Sequence, residues 1–215
     1  MVIEHIAMDG SGIDGVDAKA LLYSVIERLG RDELRRDLAK DSRSAIATIM
    51  HSCMKELSSN DMDKDKDVII RLVTALMHYL LTECMIQSER KIQLDDVMLD
   101  LVIPSMRALR SNPDNTLIIL IARGDEMGLL NNRLERVYAL HPKVNVWAVI
   151  VGDAETDMVD NVRVYMMDEY VDQVSKSKPS RSIIPLSSII EDIRRFMNSR
   201  GYKTIQHSCI MEWMN

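Results

Sequence analysis

Between residues 116 and 170 two strongly apolar runs, TLIILIA and VNVWAVIV, bracket a segment of helical pattern, and a third strand-like run, NVRVYMM, follows. Continuous apolar runs of this kind belong to strands covered on both faces. A single helical crossover between two such strands implies parallel neighbours joined with right-handed connection. The expected fold class is therefore α/β, with a small, mostly parallel, Rossmann-like sheet in residues 116–215. The third run fits either another parallel strand or an edge hairpin, because the link from Gly152 to Asn161 is short for a second full crossover.

Residues 1–115 read as a large, mostly helical section. Asp17 is placed to cap a helix with Leu21, Leu22, Val25, Ile26 and Leu29 on one face, and Gly30 is a natural stop. Ser42 or Ser44 restarts a helix carrying Ile46, Ile49, Met50, Cys53, Met54 and Leu57. After the polar break SSNDMDKDKD, the run from Val68 to Glu89 is apolar on nearly all sides, as expected of a helix buried between neighbours. A further helix is predicted from Leu94 to Leu109, bent or divided by Pro104. The opening VIEHIAM alternates loosely, so residues 1–15 are a candidate strand of the sheet, in which case the two sections form one integrated domain. A final helix, IIEDIRRFMNSR, ends at Gly201.

Composition narrows the function classes. The chain has 215 residues, with 33 acidic against 27 basic side chains and a net charge of -6. That balance disfavours a general nucleic-acid coat, which needs a concentrated positive field, and leaves nucleic acid as a partner that is not favoured. Cys53, Cys84 and Cys209 are odd in number and widely spaced, which indicates neither a disulfide framework nor a zinc knuckle. No apolar run approaches the roughly 20 residues that span a bilayer, so the expected compartment is the cytoplasm, with no membrane partner. Sixteen methionines beside one phenylalanine suggest flexible, polarisable side chains in the core or on a contact face.

Reactive motifs are incomplete. The glycines of GSGIDG lack the full dinucleotide-binding spacing, no GKS or GKT follows a glycine loop, and SSNDMDKDKD lacks the glycine and terminal glutamate of a calcium loop. His51, His78, His141 and His207 have no partners at a recognised spacing. What remains is acidic. Ligands of open α/β sheets sit beyond the carboxyl ends of parallel strands, where ARGDEMG and GDAETDMVD place Asp125, Glu126, Asp153, Glu155 and Asp157. Asp9 and Ser11 arrive there too if the opening strand joins the sheet. Carboxylates with a hydroxyl suit a hard cation such as magnesium, which gives a metal set of Asp9, Ser11, Asp125, Asp153 and Asp157. Lys176, Lys178 and Arg181 form a separate patch for an anion or a partner.

The DGSGI at residues 9–13 resembles the metal-site motif of von Willebrand factor A domains, D-x-S-x-S, with Asp9 and Ser11 matching and Ile13 where the second serine stands. The later order of strand, RGDE loop, helix, strand, short strand and last helix is similar to the second half of such a domain. The resemblance implies magnesium at the strand ends, Asp125 in the place of the later loop aspartate, and protein contact without catalysis. A generic Rossmann-like scaffold fits the same strands. VIVGDAETD also looks like the late acidic loop of haloacid dehalogenase-type phosphatases, which implies magnesium at Asp153 and Asp157. The expected function is thus a non-catalytic interaction or scaffold module of an intracellular assembly, with a protein partner or homo-oligomer. The alternative is a magnesium-dependent phosphoesterase or nuclease using Asp9, Asp125 and Asp153.

Overall fold

The computed structural model describes residues 17–59, 65–152, 162–169, 171 and 183–202. Helices α1 (Ala18–Leu29), α2 (Arg31–Lys40), α3 (Ser42–Ser59) and α4 (Lys66–Glu83) come first. Strands β1 (Glu89–Leu94) and β2 (Val97–Ile103), helix α5 (Met106–Ser111), β3 (Leu117–Arg123), helix α6 (Met127–Leu140), β4 (Asn145–Val151), β5 (Arg163–Met166), β6 (Ile183–Pro185) and helix α7 (Ile189–Ser199) follow. Local chemistry sets several of these starts and stops. The Asp17 carboxylate accepts from the Lys19 N–H, Asp65 accepts from Asp67 and Val68, and Ser105 accepts from Ala108. Gly30 closes α1 at φ 86°, a conformation that costs glycine nothing.

Among the described residues the sheet has six strands, in sequence order. β3, β4, β5 and β6 run parallel, as the two apolar runs implied for β3 and β4, and the third run joins as a parallel strand, not an edge hairpin; Arg123 pairs with Val151 so that β3 and β4 end side by side. The expectation of a mostly parallel sheet needs correction at its other edge, because β1 pairs antiparallel with β2 and β2 antiparallel with β3. The sheet is mixed, and the helix predicted from Leu94 to Leu109 is instead a hairpin, a turn at Pro104 and the short helix α5. Its turn is Asp95-Asp96, where Asp95 holds φ 48°, a left-handed value that aspartate tolerates.

Both faces of the sheet are covered. Helices α1 to α4 and α7 pack with Leu101, Ile103, Leu117, Ile119, Ile121, Val149 and Tyr165 on one side. On the other, α6 packs with Val97, Leu99, Val102, Ile118, Leu120, Ala148 and Ile150. Alternate residues of β3 therefore serve two cores, which is why LIILIA is apolar without interruption. Among the described residues no helix is long and apolar enough to cross a membrane.

Candidate functional site

The pleat of the β1–β2 hairpin changes face at one level. Val97 and Leu99 point to the α6 core, whereas Leu101 and Ile103 point to the α4 core. Residues two apart on a regular strand share a face, so the alternation is broken at Asp100. The cross-strand register shows the same break. Arg90 pairs with Leu101 and Ile92 with Leu99, but the intervening Lys91 and Asp100, which face each other by that count, are not paired. On the other flank, β2 and β3 pair only as far as Leu101 and Ile119.

Beyond that point the strands separate, and side chains satisfy the main chain in place of a ladder. The Ile121 N–H donates to Oδ2 of Asp100 at 2.8 Å, so this carboxylate lies between the strands. From α6, Arg133 Nη2 donates to the same Oδ2 at 2.7 Å and to Met98 O at 2.6 Å, while Nη1 donates to Ile121 O at 3.3 Å. Arg136, one turn on, pairs with Asp96 in the hairpin turn. Helix α6 thus clamps the hairpin at two levels. Oδ1 of Asp100 makes no hydrogen bond among the described residues, and the residue is a quarter exposed. One oxygen of a fixed carboxylate is left open to solvent.

Asp125, in the 3-10 turn Gly124–Glu126 after β3, is occupied differently. Lys66 Nζ holds its Oδ2 at 3.0 Å and Arg123 Nε lies 3.2 Å from its Oδ1. Chiefly the Lys66 hydrogen bond keeps its carboxyl below the usual carboxylate range. Arg123 also pairs with Asp67 and Glu126, both at 2.9 Å. A methyl group placed on Gly152, just past β4, would lie 4.0 Å from Lys66 Cε, so Lys66 spans the ends of both central strands. Asp9, Ser11, Asp153, Asp157, Lys176, Lys178 and Arg181 lie outside the described residues. Among the described residues no group of three histidine, cysteine or acidic side chains is placed to hold a metal ion.

Asp100 was absent from the acidic residues singled out in the sequence. The signal was there: one acid interrupts the apolar run V-M-L-D-L-V-I, an expensive position unless the carboxylate is bonded.

Several solved structures align with the chain. The restriction endonuclease PspGI in complex with substrate DNA gives a TM-score of 0.65 at 17% identity, covering 85% of this chain and 93% of that one. Metal-depleted Ecl18kI with uncleaved, modified DNA gives 0.64 at 13% identity, covering 92% and 85%. The same enzyme with uncleaved DNA gives 0.57 at 12%. The chain has the fold of these restriction endonucleases. The resemblance to von Willebrand factor A domains is thereby overturned: the strand–helix–strand unit at residues 117–151 is common to many α/β folds, and the antiparallel hairpin beside it is what the short motif at Asp9 did not foresee. No protein-family profile matches the sequence, and no curated protein matches it.

Proposed function

We propose that this chain is a DNA endonuclease that hydrolyses phosphodiester bonds with a divalent cation bound at Asp100. The observation that carries the reading is the half-satisfied carboxylate: Oδ2 is fixed by Ile121 and Arg133, and Oδ1 is open, on a scaffold shared with endonucleases described in complex with DNA. This replaces the expected non-catalytic scaffold, and DNA replaces a protein partner or second copy as the expected ligand. Asp100 is preferred to Asp125 because both oxygens of Asp125 already face cations.

Magnesium suits such a site, since it keeps several waters and takes one or two protein carboxylates together with phosphate oxygens. When bound, it would polarise the phosphoryl oxygen and supply an activated water. The chain's own contribution is orientation. Arg133 and the Ile121 N–H restrict the Asp100 carboxylate to one rotation, and α6 keeps Met98 and Ile121 at the spacing that exposes Oδ1.

The net charge of -6 does not oppose this, because DNA needs a local positive field and not a global one. Arg90 and Lys91 on β1 and Arg107 and Arg110 on α5 are exposed and make no ion pair among the described residues. Glu89 joins the two elements by accepting from the Met106 N–H at 3.1 Å. Action on DNA in the cytoplasm fits a chain without a membrane-spanning helix among its described residues. The test is cleavage of duplex DNA by the full chain with magnesium, with chelator, and with Asp100→Asn. Magnesium-dependent nicking or cutting that the substitution abolishes is expected. Activity that survives Asp100→Asn would overturn the assignment, and absence of any DNA binding or cleavage would overturn the function.

A further inference from the structure

Among the described residues, three other than glycine hold a left-handed backbone: Met85, Lys91 and Asp95. Two have ordinary reasons. Met85 ends α4, with its own N–H donating to Thr82 O and the next N–H to Leu81 O, the usual left-handed close of a helix. Asp95 makes the hairpin turn. Lys91 lies inside β1 at φ 49°, between residues that pair regularly with β2 on either side. Lysine gains nothing locally from that conformation, and strained positions that persist are held by their surroundings, often at functional sites.

The register says what Lys91 is opposite. Every β1–β2 pair conserves the same count, Glu89 with Val102 through Leu94 with Val97, and by that count Lys91 faces Asp100. Opposed residues on neighbouring strands lie about 5 Å apart at their Cα atoms. The left-handed turn at Lys91 and the change of face at Asp100 therefore form one kink running through both strands. Its effect on β2 is to bring the Asp100 carboxylate between β2 and β3. On β1 it leaves an exposed ammonium that makes no ion pair among the described residues.

We propose that Lys91 is a phosphate-contacting residue of the same site, its ammonium binding a non-bridging oxygen of the DNA phosphate that Asp100 addresses through the cation. This rests on the endonuclease reading above. A carboxylate with one open oxygen and an exposed ammonium on the neighbouring strand are complementary to the two features of that ligand, a cation and a phosphate. Arg133 does not fill the second role, since its two terminal nitrogens are committed to Asp100 and two main-chain carbonyls and its Nε is buried.

The experiment measures duplex-DNA affinity of the full chain in calcium over a series of salt concentrations, cleavage in magnesium, and thermal unfolding, for wild type, Lys91→Gly, Lys91→Asn and Lys91→Arg. Glycine and asparagine accept the left-handed backbone, so both variants are expected to melt at or above the wild-type temperature. Both should bind DNA roughly tenfold more weakly, with a dependence of log affinity on log salt shallower by about 0.9, the loss of one phosphate contact. Cleavage should fall about a hundredfold, a transition-state loss of the size expected for one charge-stabilising group. Lys91→Arg should restore the salt dependence. Unchanged affinity, salt dependence and cleavage in Lys91→Gly and Lys91→Asn would overturn the proposal. Wild type that binds DNA without cutting it overturns the endonuclease reading alone, and the salt dependence then still decides Lys91. Wild type that does not bind DNA overturns both.

Discussion

Arg133 binds Asp100 through a single carboxylate oxygen, at 2.7 Å, and uses the same nitrogen to hold Met98 O. The pair is at once a structural tie between α6 and two diverging strands and the device that leaves Oδ1 free. Removing either partner separates those roles. Arg133→Met takes donors from a half-buried carboxylate and from two carbonyls, and is expected to cost about 2–3 kcal/mol in urea unfolding. Asp100→Asn keeps an acceptor for the Ile121 N–H and is expected to cost about 1 kcal/mol, while abolishing cleavage. Equal losses of stability in the two variants would contradict this division.

Asp125 is expected to be dispensable. Its partners Lys66 and Arg123 are at the surface, where ion pairs contribute little and are screened by salt. Asp125→Asn should lower the urea midpoint only slightly and leave the cleavage rate of the full chain unchanged. Because its carboxyl is held below the usual range, the small stabilisation it gives is present above the unfolded carboxylate value and is lost as the pH falls through the folded one. Loss of magnesium-dependent cleavage in this variant would shift the metal site toward the end of β3.

Alkaline stability depends in part on Cys53, fully buried on α3. Burial pushes its thiol from 9.0 up to about 12, with Glu56 adding to the shift. A raised folded value means that the stabilisation is complete below the unfolded value and disappears as pH rises toward the folded one. Unfolding free energy should therefore decline between about pH 9 and 12, and Cys53→Ala should decline less steeply. Parallel pH profiles for the two proteins would refute the role of the thiol.

Tyr165 supplies a buried hydroxyl to a buried acid. Its O–H donates to Oδ2 of Asp192 at 2.7 Å, while Arg195 and Arg163 hold the same carboxylate at 2.5 and 3.2 Å. Arg163 also lies over the rings of Trp147 and Tyr165, so β4, β5 and α7 meet in one packed polar cluster. Tyr165→Phe should cost about 1–2 kcal/mol by removing one charged hydrogen bond while the arginines still satisfy Asp192. A chemical denaturation midpoint equal to wild type would show that the hydroxyl contributes nothing net.

Much of the hairpin was ambiguous in one dimension. Leu94, Val97, Met98 and Leu101 recur at helical spacing, yet Ile92, Leu94, Val97, Leu99 and Leu101 also alternate about an Asp95-Asp96 break. Both periods fit the same letters. Pairing of Leu101, Val102 and Ile103 with β3 decided for strand, because the energy of a strand lies in partners that are distant in sequence. The candidate site depended on the same choice: as helix residues, Lys91 and Asp100 have no relation, whereas as strand residues they face each other.

The sequence by itself determined what depends on neighbours in the chain. It specified the cap at Asp17, the stop at Gly30, the buried stripe of α3 and the two-sided burial of β3 and β4, since capping bonds and apolar periodicity act over a few residues. Only the tertiary structure decided that β1 and β2 extend the sheet antiparallel, that Arg133 reaches back 33 residues to Asp100, and that one oxygen of that carboxylate remains open. Those outcomes turn on which distant strand completes an edge and which side chain fills the gap where two strands part, and no local pattern encodes either.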